Sequence, residues 1–114
     1  MIQFTINHTT NESLDKIVAM QILGVMTALK EDLITIEEAE KVIFSPRNMD
    51  LFKANGGSEE LLNLIHLGTE LEDVESLIPH ALEASIEEIY VLCIRFLRKR
   101  TECKIEEHVF KPSE

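Results

Sequence analysis

Two long segments carry apolar residues at helical spacing, and this pattern constrains the fold of the 114-residue chain more than any other feature. From Leu14 to Leu33, apolar side chains recur every three or four residues. From Leu82 to Phe96 they recur at steps of four, three, four and three. This period places apolar side chains along one side of an α-helix. Because further apolar residues widen both stripes, the sequence predicts two long helices at the centre of the core.

Shorter helices are predicted between the two long ones from their start and stop signals. A Ser or Thr that caps a first helical turn occurs at Thr35, Ser45 and Ser58. Gly56 ends one of these helices, and Gly68 is expected to end another. The middle of the chain is therefore predicted to consist of short flanking helices.

The two ends of the chain alternate apolar and polar residues, as a half-buried strand does. Residues 2–6 alternate clearly and residues 101–110 more weakly. Neither segment forms a stable strand alone, so we expect them to pair, with Phe4 packed near Phe96 or Leu97. The predicted fold is α+β, mostly α, with two long central helices, shorter flanking helices and a small β-ribbon from the N- and C-terminal segments.

The length and composition predict one globular domain over residues 1–110, followed by a flexible tail over 111–114. Apolar residues make up 45% of the chain and charged residues 28%, which is the balance of a folded domain rather than a disordered segment. No apolar run approaches the roughly 18 residues of a membrane-spanning helix. Because the N-terminus also lacks a signal sequence and the cysteines form no CxxC motif, we expect a cytoplasmic protein.

Negative charge is unevenly distributed. The formal net charge is −10, which argues against binding to nucleic acid or to an anionic membrane. Between Lys53 and Arg95 there is no lysine or arginine, although nine acidic residues lie there. Two interpretations remain open: an acidic face that attracts a basic protein partner, or an ordinary solvated surface.

If the acidic stretch binds a partner, its most exposed part is expected between two predicted helices, because contact surfaces are often presented on such segments. Glu70, Glu72, Asp73 and Glu75 cluster there. We predict that these four acids contact the basic partner.

The sequence contains no recognisable catalytic or metal-binding constellation. The four histidines do not pair at a spacing of three or four residues, so we expect no metal and no cofactor. Cys93 lies in an apolar helix, which raises the pKa of a thiol and hides it from substrate. We therefore expect no enzyme, with one alternative left open: a catalytic or ligand-binding site assembled from His66, His80, Tyr90 and several acids.

The segment from Gly68 to Val74, followed by Ser76 to Pro79, resembles a family of small acidic bacterial proteins of unassigned function. The resemblance extends over the whole chain, but its motif is a capped helix start and identifies no functional residue. Proteins of this kind include immunity proteins, which neutralise a toxin domain. The resemblance therefore implies a non-catalytic immunity or antitoxin role, and self-association of the wide apolar helices as a homodimer is the alternative.

Overall fold

The computed structural model describes residues 2–8 and 10–112 of the chain. In chain order its elements are β1 (Phe4–Ile6), α1 (Asn11–Lys30), α2 (Ile36–Val42), α3 (Pro46–Ala54), α4 (Glu59–Thr69), α5 (Leu71–Leu77), a 3₁₀ turn (Pro79–Ala81), α6 (Leu82–Arg98) and β2 (Phe110–Pro112). This architecture confirms the predicted α+β class and its predominance of helix. None of the helices described is long and apolar enough to cross a membrane.

Helices α1 and α6 lie side by side and antiparallel at the centre of the molecule. Lys30, at the end of α1, lies 2.8 Å from Glu87 near the start of α6, while Asp15 near the start of α1 approaches Arg100 just beyond α6. The side chains between them include Ile22, Met26, Cys93 and Phe96, none of which has any exposed surface. The two central helices predicted from apolar spacing are confirmed.

Helices α2, α4 and α5 pack against this pair, and α3 packs against α4. Leu61 and Ile65 of α4 and Leu71 of α5 are fully buried, as is Phe44 in the connection between α2 and α3, and all four belong to the same core cluster. Thr35 and Glu38 form the predicted capping box at the start of α2, and Ser45 and Ser58 cap α3 and α4. Each cap satisfies backbone N–H groups that a helix start leaves without an intrahelical partner.

Gly68 does not end a helix, contrary to the prediction. It is buried inside α4, which continues to Thr69. A Cβ atom at this position would collide with the ring of Phe44. The glycine is therefore required by close packing rather than by a turn. Gly56, with φ of 90°, does adopt the left-handed conformation that follows the end of α3.

The terminal ribbon is present, but its second strand lies further along the chain than predicted. β1 and β2 are antiparallel, with Phe4 opposite Pro112 and Ile6 opposite Phe110. Phe4 is 60% exposed and its ring meets that of Phe110 edge to face at 5.2 Å, rather than covering the end of the two-helix core. Lys111 and Pro112, placed in a flexible tail by the sequence, belong to β2, and residues 113 and 114 lie outside the described residues.

The path of the chain after α6 explains this shift. Lys16 of α1 donates hydrogen bonds to the carbonyl oxygens of Arg100 and Cys103, at 3.1 and 2.6 Å. The first residues after α6 are therefore held against α1 and cannot pair with β1. Only beyond them does the chain reach the N-terminal strand.

Replacing Gly68 by Ala is expected to lower the free energy of unfolding by about 1–3 kcal/mol, because the buried Phe44 ring has no room to move away from the new methyl group. Gly24→Ala is the matched control. Apart from the backbone of its own helix, no described atom lies within 4 Å of where the Gly24 Cβ would be. Alanine there is expected to stabilise α1 by about 0.5–1 kcal/mol. Urea unfolding of both variants measures the difference, and equal effects would contradict the packing explanation.

Candidate functional site

The four acids predicted to bind a partner all lie at or near α5, and all are exposed. Glu72 and Asp73 occupy the first turn of α5, where negative charge interacts favourably with the helix dipole. Glu75 follows one turn later. Glu70 is the residue between α4 and α5.

Helix α2 brings a further carboxyl group to this place. A side-chain hydrogen bond to Glu72, partial desolvation and the negative charges of Glu72, Glu37 and Asp73 raise the pKa of Glu40 above its usual value. Two carboxyl groups in contact cannot both ionise without repulsion, so the protonated form of Glu40 is favoured. We call the group formed by Glu37, Glu40, Glu72 and Asp73 the acidic surface.

Little positive charge offsets the acidic surface. Lys41 lies 3.3 Å from Glu37, four residues earlier on α2, and both side chains are largely exposed. Within residues 2–8 and 10–112, no ion pair involves Glu40, Glu72 or Asp73. The surface is therefore suited to attract a cationic group from outside the chain.

The structure brings together only part of the predicted set. Glu70 lies 3.5 Å from Nε2 of His66 on α4 and takes no part in the raised pKa of Glu40. Sequence reasoning missed Glu37 and Glu40 because they precede the stretch that lacks basic residues. The available signal was the capping box at Thr35, which places both glutamates on a short helix.

The acidic surface is not arranged as a metal site. Across the part of the chain that is described, no group of three or more His, Cys, Asp and Glu residues has a geometry that holds a metal ion. An open groove of ≈ 810 Å³ lies elsewhere, between the end of α1 and the start of α6, and His80 lines it together with Lys30, Glu83 and Glu87. Neither His66 nor Tyr90 lines this groove, so the structure gives no support to a site that joins them to His80.

A second charged cluster is explained by the fold. Asp15 is only 5% exposed; its Oδ1 accepts a hydrogen bond from the backbone N–H of Ser58 at 3.0 Å, and its Oδ2 lies 3.6 Å from Arg100. The Arg100 guanidinium also stacks 3.5 Å from the centre of the Phe96 ring. The carboxylate thus joins α1 to the start of α4 and the end of α6. Its partners account for its burial, so no ligand is required.

Cys93 is unsuited to nucleophilic chemistry. Its side chain is fully buried, with Sγ 3.2 Å from the carbonyl oxygen of Ala19, and burial raises the pKa of the thiol to about 11. Since the thiolate is the reactive form, this cysteine behaves as a small apolar core residue.

A comparison with protein-family models places most of the chain, including all of its helices, in one family. The model described as "Protein of unknown function (DUF3969)" matches residues 9–111. The chain belongs to this family. No curated protein and no solved structure matches it. Membership in DUF3969 agrees with the resemblance to a small family of unassigned function, while the immunity-type role stays a hypothesis.

Neutralising Glu72 is expected to raise the free energy of unfolding at neutral pH. Because the pKa of Glu40 is higher in the folded than in the unfolded state, stability decreases as pH rises between the two values. Glu72→Gln removes the main cause of the raised pKa. Its gain is expected above this interval and should disappear below it, where Glu40 is protonated in the folded and the unfolded state. Chemical unfolding at a series of pH values measures it.

Glu75→Gln is the control for this measurement. It removes one charge from the same helix, but Glu75 does not contribute to the raised pKa of Glu40. The same gain in both variants, or a gain for Glu72→Gln that persists at low pH, would contradict a specific repulsion between Glu40 and Glu72.

Proposed function

We propose that this protein is a non-catalytic binding module that captures a basic protein through its acidic surface, as immunity and antitoxin proteins do. The contact between the carboxyl groups of Glu40 and Glu72 carries the proposal. In the free protein this contact is repulsive once both groups are ionised. A Lys or Arg side chain from a partner would turn the repulsion into two favourable interactions.

The geometry favours a planar cation in particular. Glu40 belongs to α2 and Glu72 to α5, so the two interacting carboxylates are supplied by different helices. An arginine guanidinium has donors on several edges and can bond to two carboxylates at once. Asp73 and Glu37 add negative charge close to this pair. Their positions support recognition of an arginine-rich or lysine-rich segment of a partner.

Charge distribution over the rest of the chain supports rapid association. Seven of the nine acids between Lys53 and Arg95 lie outside the acidic surface and extend the negative charge along the chain. A field of one sign steers an oppositely charged partner and raises the association rate, and salt weakens this effect. We propose that the module works in the cytoplasm, without cofactor or metal.

Neutralising the carboxyl pair is the direct test. The double variant Glu40→Gln/Glu72→Gln keeps the shape of both side chains and removes a repulsion, so a loss of binding cannot be attributed to unfolding. The basic partner can be obtained in two ways. It is captured by affinity from cells that carry the gene, or the product of the neighbouring gene is expressed. We expect the variant to raise the dissociation constant at least about tenfold, or about 1.4 kcal/mol, in low-salt calorimetry.

Two variants with the same change in net charge serve as controls. Glu70→Gln/Glu75→Gln removes the predicted acids that lie outside the pair, and Glu102→Gln/Glu106→Gln removes two exposed acids near the C-terminus. Both are expected to bind nearly as the original chain does. If all three variants weaken binding equally, net charge rather than this surface is responsible. If none does, the proposal is wrong.

A further inference from the structure

The terminal ribbon lacks the support that a β-sheet normally has. Within residues 2–8 and 10–112, β1 and β2 pair only with each other, and neither strand packs extensively against a helix. An isolated pair of strands is only marginally stable in water, and either a third strand or a supporting helix is normally needed. A further strand on one edge of the ribbon would supply this support.

The hydrogen bonds of the ribbon show which backbone groups point away from it. The N–H of Asn7 donates to the carbonyl oxygen of Val109 at 2.6 Å, so these two residues form a hydrogen-bonded pair. Hydrogen-bonded and non-hydrogen-bonded pairs alternate along antiparallel strands. Thr5 therefore directs its backbone groups towards β2, while Phe4 and Ile6 direct theirs away from β2. The outer edge of β1 consists of the N–H and carbonyl groups of these two residues.

The two edges of the ribbon differ in their protection. On β2 the outward positions are Phe110 and Pro112, and the proline has no N–H to offer. Lys111 between them is charged, and both proline and lysine discourage the addition of a strand to an edge. The sequence of β1 is Phe-Thr-Ile, without proline or charge. The edge that can accept another strand is therefore that of β1.

One face of the ribbon is apolar and exposed. Residues that lie opposite each other on paired strands project from the same face. Phe4, Ile6, Phe110 and Pro112 therefore share one face, and the rings of Phe4 and Phe110 meet at 5.2 Å. These two rings are 60% and 63% exposed. The apolar face is thus continuous across both strands up to the outer edge of β1.

Charge favours a second copy of this chain at that edge. Each chain carries a net charge of −10, so two copies repel each other over much of their surface. Residues 2–7 contain no charged side chain, and the one charge on the two strands is the positive charge of Lys111. The outer edge of β1 is therefore a place where two copies can approach without bringing carboxylates together.

The edge is also complementary to itself. We propose that β1 of a second copy pairs antiparallel with β1, with Thr5 beside the two-fold axis, so that the two ribbons form one continuous sheet in the strand order β2–β1–β1–β2. In this register Phe4 of each copy lies opposite Ile6 of the other, and every outward N–H of these residues meets a carbonyl oxygen. Pairs of an aromatic with a β-branched residue, and pairs of threonines, are both favourable across antiparallel strands.

This dimer is independent of the proposed function. It shares no residue with the acidic surface on α2 and α5, so either proposal can fail without the other. The contact is small, and we therefore expect a weak dimer that depends on concentration. Salt distinguishes the two interactions. It screens the repulsion between two acidic copies and should strengthen the dimer, whereas it should weaken the capture of a basic partner.

Sedimentation of the full chain over a range of concentrations tests the proposal. We expect the mass to rise with concentration towards twice the chain mass of 13.0 kDa. Phe4→Pro removes an N–H that the second copy requires and should raise the dimer dissociation constant at least about tenfold. Phe110→Pro is the matched control, because it removes the same ring contact and one outward N–H, but from the edge of β2. This control should dimerise as the original chain does.

A cysteine cross-link tests the register. Opposite residues of a non-hydrogen-bonded pair have Cα atoms about 4.5 Å apart, which is within the range of a disulfide. Thr5→Cys is therefore expected to form a linked dimer on mild oxidation, and a reducing agent should reverse it. In Gln3→Cys the two new thiols would lie about 13–14 Å apart along the strands and should not link. The original chain, which contains Cys93 and Cys103, provides the background for both variants.

Three results would overturn the proposal. The first is a mass of 13.0 kDa at every concentration up to the solubility limit, which would leave this edge to a strand of a different protein. The second is a Phe4→Pro variant that dimerises as well as Phe110→Pro, which would place the contact on another surface. The third is a Thr5→Cys variant that links no faster than Gln3→Cys, which would exclude the pairing centred on Thr5.

Discussion

The antiparallel packing of α1 and α6 is the contact on which the rest of the structure depends. These are the two longest helices described, and they bury the centre of the core along their shared length. Helices α2, α4 and α5 each pack against this pair, and α3 is supported through α4. Asp15 strengthens the arrangement at one end. Its carboxylate accepts a hydrogen bond from the backbone of Ser58 at the start of α4 and forms an ion pair with Arg100 just beyond α6.

Charge is organised around this scaffold by sign. Acidic groups collect on α2 and α5, whereas six of the 11 basic residues lie at or beyond Arg95. Part of this separation has a local cause, since acids stabilise the start of a helix and bases its end. The cause does not extend to Glu40, which lies in the last turn of α2, where the helix dipole does not favour negative charge. Its position next to Glu72 costs stability and supports a role outside folding.

Much of the helical fold could be predicted from the sequence, because apolar spacing and capping residues act locally. The two long helices and the capping box at Thr35 are of this kind. Gly68 was misinterpreted because a turn and a close contact both require a residue without a side chain. The second strand was predicted too early in the chain. The weak alternation of apolar residues after α6 carries no information about Lys16, whose hydrogen bonds hold that segment against α1. The acidic surface could not be predicted from the sequence, because it depends on a tertiary contact between α2 and α5. The spacing of residues within either helix does not reveal this contact.

If the acidic surface binds a partner as proposed, the contact between Glu40 and Glu72 couples that binding to protons. At pH values near the raised pKa of Glu40, part of the free protein carries a proton on this carboxyl group. A cation that binds there stabilises the ionised form and releases this proton to the solvent. Acidification would then compete with the partner for the same oxygens. A drop in pH towards the pKa of Glu40 would thus weaken the proposed complex without any change in the shape of the protein.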